Sequence, residues 1–402
     1  MKKLVMAVFI LIMLLATITC QSAVVVKGET QEVGFTIQMT VTFSNPSNGP
    51  STWNFTEEDR TISLFMNNTW QVVHLINYSY PLETMKTDED GNPVAVLLFP
   101  KSELKPGENV SYTVTYQALS KPRSIPKITE ETSEELDKIP KDLSEKYGRE
   151  EGPWLVNDPQ LRKLAYSIAK NETRVLTIVK KFVEWINQNI TYALHEVPYY
   201  PNETYAERKG DCDDKAVLFA TLCRILGIPA YVQIGCIYLP TTLHVNETYW
   251  EGHVTSILKR IGWHGWAMVY VPPWGWLPVD LTYVMDGLGD PLNAIRRGAV
   301  TLEETIQYMN VTQTDYVASS RESRNFLIKN DFYVYMLDEM NFEFPQKPPI
   351  DEDEVREWDR SVPVVMVTMA IAATITGASM IICILHIRKV KKPRLGTGNL
   401  EK

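Results

Sequence analysis

The chain has 402 residues, of which 45% are hydrophobic and 22% are charged, and its formal net charge at pH 7 is -9. This length allows two or three globular domains. The negative charge, together with the lack of a basic stripe along the part between the two apolar ends, argues against a nucleic acid as partner.

The N-terminus has the pattern of a secretory signal. Two lysines precede an apolar run over residues 4–16, which ends in small polar residues. We therefore predict a signal peptide over residues 1–22. Lipidation of Cys20 is one alternative, although Thr17-Ile-Thr19 is a poor lipobox. A retained anchor is the other, although the run is shorter than the ~20 residues that span a bilayer.

The next segment has the alternation of strands. Apolar and polar residues alternate at period two in four stretches, and Gly- and Pro-containing turns separate them. The four stretches are 35–43, 62–66, 94–99 and 110–116. This pattern predicts an antiparallel β-sandwich domain over residues 23–120. Residues 121–153 are rich in Lys, Glu, Pro and Ser, which indicates a linker that ends in a solvated helix.

Helical periodicity begins at Trp154, and we assign residues 154–345 to an α+β domain. Two amphipathic helices are predicted near 157–168 and 172–189. A third helix, from Cys212 to Leu226, is apolar nearly all round and should be buried. The strands expected after it are 230–237, 264–271 and 276–283.

The C-terminal part has the pattern of a membrane anchor. Residues 362–385 carry no charge, and this length crosses the ~30 Å hydrocarbon core. Acidic residues precede the run in a predicted stalk (346–361), and Lys and Arg follow it in a tail (386–402). The positive-inside rule predicts a single-pass protein of the cell membrane with a cytoplasmic tail and an outer N-terminal part. A buried core helix is the alternative.

Glycosylation sequons agree with an outer location. Each of nine asparagines opens an Asn-x-Ser/Thr sequence without Pro at x. They are Asn54, Asn67, Asn77, Asn109, Asn171, Asn189, Asn202, Asn246 and Asn310.

Only three cysteines lie in this outer part: Cys212, Cys223 and Cys236. They cannot form a disulfide framework. Three helical turns separate Cys212 from Cys223, too far for a disulfide, whereas a Cys223–Cys236 bond stays open. Cys212 begins its helix, where unpaired N–H groups and the helix dipole favour a thiolate.

His264 and Asp280 are the candidate partners of this thiol. They lie in consecutive predicted strands, and an acid between Val279 and Leu281 is costly to bury unless it is paired. A hairpin that pairs Val271 with Trp276 would leave His264 and Asp280 about one residue out of phase. A bulge near Pro278 would repair this.

Four sequence stretches resemble the transglutaminase-like superfamily. They are Arg208-Lys-Gly-Asp-Cys-Asp-Asp-Lys-Ala216, Leu222-Cys-Arg-Ile-Leu-Gly-Ile-Pro-Ala230, His264-Gly-Trp266 and Trp276-Leu-Pro-Val-Asp-Leu-Thr282. The resemblance implies a papain-like α+β core with Cys212 as nucleophile, His264 as base and Asp280 as the residue that orients the base. It also implies a thioacyl intermediate formed from a protein or peptide amide.

For three further residues near the site, the sequence leaves two roles open. Tyr205 is a candidate oxyanion donor, with packing as the alternative. Trp263 and Trp266 are substrate-wall candidates and equally core candidates. The stretch 237–262 is open as a lid or specificity loop.

We predict no metal and no cofactor. His244, Glu251 and His253 have no usual zinc spacing, and the 286–290 stretch lacks the oxygen ligands of a calcium loop.

The sequence thus predicts a membrane-anchored enzyme that transfers acyl groups through a thiol, with hydrolysis slightly favoured over amine transfer. The alternative is an inactive binding or scaffold protein on the same fold. The substrate, the acyl acceptor and the oligomeric state do not follow from the sequence.

Overall fold

The computed structural model describes residues 32–240, 244–283 and 290–343. Within these ranges, no helix is both long and apolar enough to cross a membrane. Four predicted segments lie outside the described residues, namely the signal peptide (1–22), the stalk (346–361), the transmembrane helix (362–385) and the tail (386–402).

The elements are numbered here in chain order within the described residues. The strands are β1 (Val33–Ser44), β2 (Trp53–Asn54), β3 (Thr61–Ser63), β4 (Gln71–Tyr78), β5 (Leu82–Thr87), β6 (Pro93–Leu97), β7 (Glu103–Leu104), β8 (Asn109–Ser120), β9 (Thr191–Tyr192), β10 (Lys209–Gly210), β11 (Ala230–Tyr238), β12 (His244–Tyr249), β13 (Val254–Lys259), β14 (Ile261–Val271), β15 (Gly275–Val279), β16 (Thr305–Val311) and β17 (Tyr333–Glu343). The helices are α1 (Lys141–Tyr147), α2 (Pro159–Ala169), α3 (Val175–Asn189), α4 (Pro201–Glu207), α5 (Cys212–Ile225), α6 (Asn293–Arg296) and α7 (Tyr316–Asn330).

The N-terminal part is rich in strands, as its period-two alternation predicts. In β1 the apolar residues at alternate positions are buried, from Phe35 to Phe43. β1 pairs with β8 along its full length in an antiparallel register. A second sheet has the order β3-β6-β5, and β2 pairs with β7. Together with the helical core that follows, this gives a mixed α+β fold.

The largest sheet extends beyond the N-terminal part. Its order is β12-β13-β17-β1-β8-β4, so its first three strands come from the segment that we assigned to the second domain. β17 lies between β1, to which it is antiparallel, and β13, to which it is parallel. Most of the 237–262 stretch, which the sequence left open as a lid or loop, forms the β12–β13 hairpin of this sheet.

Residues 121–153, for which the sequence predicts a linker, are packed against the rest of the structure at several points. Arg123 is buried and donates hydrogen bonds to the carbonyl oxygens of Val300 and Thr305. Ile128 and Ile139 are also buried, and α1 is anchored by the buried ring of Tyr147. These few buried residues are widely spaced in a segment of polar composition, so the composition alone did not indicate the packing.

Helix α5 is the centre of the second part. Every residue from Cys212 to Ile225 is buried, in agreement with its apolar sequence. The helix packs against β11 and β14 of a four-stranded antiparallel sheet of order β15-β14-β11-β16, and α2 and α3 pack on it. This packing brings the first turn of α5 close to β14.

A buried carboxyl links the two parts of the fold. Asp338 of β17 is 1% exposed and accepts a hydrogen bond from Trp263 Nε1 of β14 at 3.0 Å. Burial raises the pKa of Asp338 to about 7, although the bond from Trp263 acts in the opposite direction. In the unfolded chain an Asp ionises near pH ~3.9. The folded state therefore holds this proton over about pH 4–7.

We expect Asp338→Asn to stabilise the protein at pH 8, because Asn does not ionise in the buried site. The contribution of Asp338 to stability is present below its unfolded pKa and is lost as the pH rises through about 4–7. Thermal melts of parent and variant from pH 4 to pH 8 should show a gain of several degrees at pH 8 that vanishes towards pH 4. The exposed carboxyl variant Asp137→Asn is the control. Equal pH slopes in the parent and Asp338→Asn would contradict the assignment.

Candidate active site

The thiol of Cys212 lies at the start of α5. Asp211 is the N-cap residue, and its side chain accepts a hydrogen bond from the N–H of Asp214. The side chain of Asp214 in turn accepts a bond from the N–H of Asp211, which completes a capping box. The sequence forms a helix here because both acids satisfy N–H groups that have no partner within the helix. The positive end of the helix dipole favours a thiolate at this position.

His264 and Asp280 form a buried pair on the neighbouring strands. His264 Nε2 donates to Asp280 Oδ2 at 3.0 Å, and the two side chains are 1% and 0% exposed. Burial alone lowers the pKa of His264, but the charge of Asp280, its hydrogen bond and the nearby Cys212 thiol raise it by more. Similarly, burial alone raises the pKa of Asp280, but His264 and backbone donors lower it by more. The pair therefore favours an imidazolium beside a carboxylate.

Backbone donors fix the Asp280 carboxylate. The N–H of Ala299 donates to Oδ2 at 2.8 Å, and the N–H groups of Thr282 and Tyr283 donate to Oδ1 at 3.1 and 3.0 Å. The close approach of the 298–299 turn needs a glycine, since a Cβ on Gly298 would lie 2.5 Å from the Cβ of Asp280. These contacts leave the carboxylate oriented towards His264.

The register of the β14–β15 hairpin differs from the one considered in the sequence analysis. Val271 pairs with Gly275 rather than with Trp276, and the pairing continues regularly to Ala267 and Val279. With this register Asp280 follows the strand on the same face as His264, because positions two residues apart along a strand share a face. The bulge near Pro278 is therefore not needed.

The second ring nitrogen of His264, Nδ1, is not bonded to Asp280. Nε2 is bonded to Asp280, while Nδ1 is buried without an oxygen or nitrogen partner. The Cys212 side chain lies near the ring, and its interaction with the imidazolium raises the pKa of His264. The structure thus brings Cys212, His264 and Asp280 together in the order thiol, imidazole and carboxylate.

Trp263 and Trp266 are both fully buried, which favours core packing over the substrate wall that was its alternative. Trp263 donates to Asp338, and Trp266 Nε1 donates to Gln233 Oε1 at 3.2 Å. Trp266 also covers Gly235, the residue opposite His264, where a Cβ would lie 2.7 Å from the indole. The two rings pack the strand of His264 and leave no exposed wall.

Tyr205 has the contacts of a packing residue. Its ring centre lies 4.4 Å from the guanidinium carbon of Arg208 and 6.0 Å from the ring of Trp185. Its proposed role as oxyanion donor stays a prediction.

Two residues near the thiol were missed from the sequence. His195 Nδ1 lies 2.8 Å from Asp214 Oδ2, and the His195 ring stacks on Tyr199 at 3.8 Å. The N–H of Tyr199 donates to Asp214 Oδ1 at 2.7 Å. Burial raises the pKa of Asp214 to about 6, while the His195 bond opposes this rise.

The structure brings two sets of ligand-type atoms within 4.8 Å of one another. One set comprises His195, Asp211 and Asp214, and the other comprises Asp211, Cys212 and Asp213. The capping box and the His195–Asp214 pair use side-chain atoms of His195, Asp211 and Asp214. The carboxylate of Asp213 accepts a hydrogen bond from Tyr316.

The zinc candidates of the 237–262 stretch have other partners. His253 Nδ1 donates to the carbonyl of Phe332 at 2.9 Å, and Glu251 pairs with Arg324 at 3.0 Å. The side chain of His244 lies outside the described residues. Cys212, Cys223 and Cys236 form no disulfide with one another, so the Cys223–Cys236 bond is not formed.

Comparison with known proteins gives one family match and several structural likenesses. No curated protein matches the chain. A candidate cysteine protease from Cytophaga hutchinsonii is 16% identical, with a TM-score of 0.46, 80% of this chain and 94% of that chain covered. LapG of Legionella pneumophila is 14% identical, with a TM-score of 0.25, 53% of this chain and 97% of that chain covered. Red sea bream transglutaminase is 10% identical, with a TM-score of 0.27, 64% of this chain and 49% of that chain covered.

The family match falls on the part of the chain that holds the site. Residues 162–281 match the model of the transglutaminase-like superfamily, and this range contains Cys212, His264 and Asp280. It also contains α5 and the β14–β15 hairpin, the elements that position the three side chains. Residues 162–281 of this chain therefore form a transglutaminase-like domain.

Proposed function

We propose that the chain is an enzyme that transfers acyl groups from protein or peptide amides through the thiol of Cys212. The observation that carries the proposal is the buried His264–Asp280 pair in contact with a thiol at a helix start. A thiolate at this place has a base beside it, and the base has a fixed orientation. This is the arrangement that nucleophilic catalysis requires.

The reaction has two steps. The Cys212 thiolate attacks the amide carbonyl, and the backbone N–H of Cys212 is placed to stabilise the oxyanion. The C–N bond then breaks, and the leaving amine takes its proton from the His264 imidazolium, which leaves a thioester. Water or a second amine next gives its proton to neutral His264 and attacks the thioester. Its attack expels the Cys212 thiolate and releases a carboxylic acid or a new amide. His264 has kept the proton of the acceptor, so the thiolate–imidazolium pair is restored.

We further propose that the enzyme acts outside the membrane. The support is the signal-like N-terminus, the uncharged 362–385 run with its basic flank, and the sequons between them. A single C-terminal helix would then hold the site near the outer surface. Protease protection of the tail in intact cells, with cleavage of the outer part, tests this orientation.

We expect iodoacetamide to label Cys212 rapidly well below the free thiol pKa of ~8.5, because His264 holds the thiolate. Full-length protein in detergent, with peptide mapping by mass spectrometry, measures the rate from pH 5 to pH 10. His264→Ala should slow the labelling at pH 6–7 at least tenfold. Cys223 is an internal control, because burial raises the pKa of its thiol well above the usual value. Slow labelling that His264→Ala does not change would favour an inactive binding or scaffold protein.

Asp280→Asn should destabilise the thiolate–imidazolium pair while Cys212 and His264 both remain in place. The neutral side chain no longer favours the imidazolium, so the pKa of His264 falls and the thiolate–imidazolium pair loses stability. We expect labelling of Cys212 at pH 7 to fall about tenfold, with the difference shrinking above pH 9. Asp59→Asn, a buried acid of the N-terminal part, is the matched control. An unchanged rate in Asp280→Asn would remove Asp280 from the mechanism.

The acyl acceptor is measured separately. A glutamine-containing peptide is incubated with parent or Cys212→Ala protein, with and without a fluorescent primary amine. Thiol-dependent release of ammonia or of a peptide fragment indicates water as acceptor, whereas incorporation of the amine indicates transfer. If the protein has the reactive thiol but forms neither product, the result would contradict amides as the substrate class.

A further inference from the structure

Lys215 is a charged residue that the mechanism above does not use. It lies in the first turn of α5, three residues after Cys212, and its exposed fraction is 0%. Lysines are almost never fully buried unless they are paired. Burial lowers the pKa of Lys215 to about 8, while Asp211 and Cys212 favour its charged form.

The helix places Lys215 and Cys212 on the same side. Residues three apart on a helix lie on the same side, with Cβ atoms about 5–6 Å apart. From the other direction, the ring of Tyr192 in β9 lies with its centre 5.7 Å from Lys215 Nζ. The charge of Lys215 is thus held between a strand and the first turn of α5.

The surroundings of Cys212 have an excess of acids. Asp211, Asp213 and Asp214 are all buried within two residues of the thiol, and a like charge disfavours a thiolate. Burial, followed by the charges of Asp213 and Asp214, raises the pKa of Asp211 well above its usual value. In their ionised forms these acids oppose the thiolate that catalysis needs, so a cation besides the His264 imidazolium helps to offset them.

The other polar groups around the first turn already have partners. His264 faces Cys212 from β14 and is bonded to Asp280, while His195 faces Asp214. Tyr316 of α7 donates its hydroxyl to Asp213 at 3.1 Å. Lys215 is the cation of α5 itself that faces both Asp211 and Cys212.

We propose that Lys215 is a positioning residue of the thiol site, whose buried ammonium offsets the neighbouring acids and favours the thiolate form of Cys212. The inference rests on the proposed function, because it assigns Lys215 to the thiolate which that function requires. The ammonium carries its charge below its pKa of about 8. Its contribution is therefore full at pH 6–7 and fades above pH 9, where the ammonium has lost its proton.

Lys215→Met tests the proposal, since Met retains the length of the side chain without the charge. Full-length protein in detergent is labelled with iodoacetamide from pH 5.5 to pH 10, and the rate at Cys212 is measured. We expect a loss of about tenfold at pH 6–7 and equal rates near pH 10. Lys215→Arg should retain most of the parent rate at pH 6–7. Thr221→Val, another fully buried polar residue of α5, is the control and should label like the parent.

Two outcomes would overturn the proposal. One is an unchanged pH profile in folded Lys215→Met. The other is a loss by the same factor at every pH, which would mean a displaced thiol rather than a lost charge. The proposed function itself fails when His264→Ala labels like the parent. The Lys215 inference alone fails when His264→Ala is slow and Lys215→Met is not.

A second measurement does not depend on folding of Lys215→Met. The coupling of two charges is mutual, so a thiolate that Lys215 stabilises must also raise the pKa of Lys215. We expect ¹³Cε NMR of labelled lysine to show a titration midpoint for Lys215 at least 0.5 unit lower in Cys212→Ser than in the parent. Equal midpoints would contradict the proposal.

Discussion

The ion pair between His264 and Asp280 is the interaction on which the rest of the site depends. Two charges without exposure to water are destabilising unless each has close partners of suitable geometry. The structure supplies these partners through three backbone N–H groups that donate to the carboxylate and through the Cys212 thiol near the imidazole. Gly298 allows one of these donors to approach. The surrounding turn, hairpin and helix start can therefore be understood as the support of one buried pair.

The support extends into the β-rich part of the chain. Because side chains alternate along β14, Trp263 lies on one face of the strand and His264 on the other. Trp263 bonds to Asp338 in the six-stranded sheet and is flanked by Phe65 and Tyr308. The strand that presents the imidazole is thus fixed from behind by residues distant from it in the chain. The β-rich part therefore stabilises the position of the strand that carries His264.

Local pattern predicted most elements that lie close to the site, and long-range contacts explain what it missed. The apolar helix that begins at Cys212, and the paired strands that carry His264 and Asp280, follow from periodicity and turn residues. The hairpin register does not, because a shift of one residue changes every pairing while leaving the alternation intact. Nor could His195 be found, since its contact with Asp214 is made only after the loop before α4 folds onto the helix start. The pairing of β17 with β1 in the largest sheet could not be predicted either, because it joins the two ends of the described chain.

That pairing has a consequence for the order of events during synthesis. β17 is an interior strand of the largest sheet, with β1 on one side and β13 on the other, and residue 34 pairs with residue 343. A nascent chain that ends before β17 would expose an open edge on β1, together with the apolar face that Val334, Met336 and Met340 cover. β1, the first strand described, therefore cannot complete its pairing until β17, the last strand described, has been synthesised. Such non-local closure slows folding and prolongs the exposure of strand edges to other chains. Maturation of this protein should be sensitive to the chaperones that it meets before residue 343 has left the ribosome.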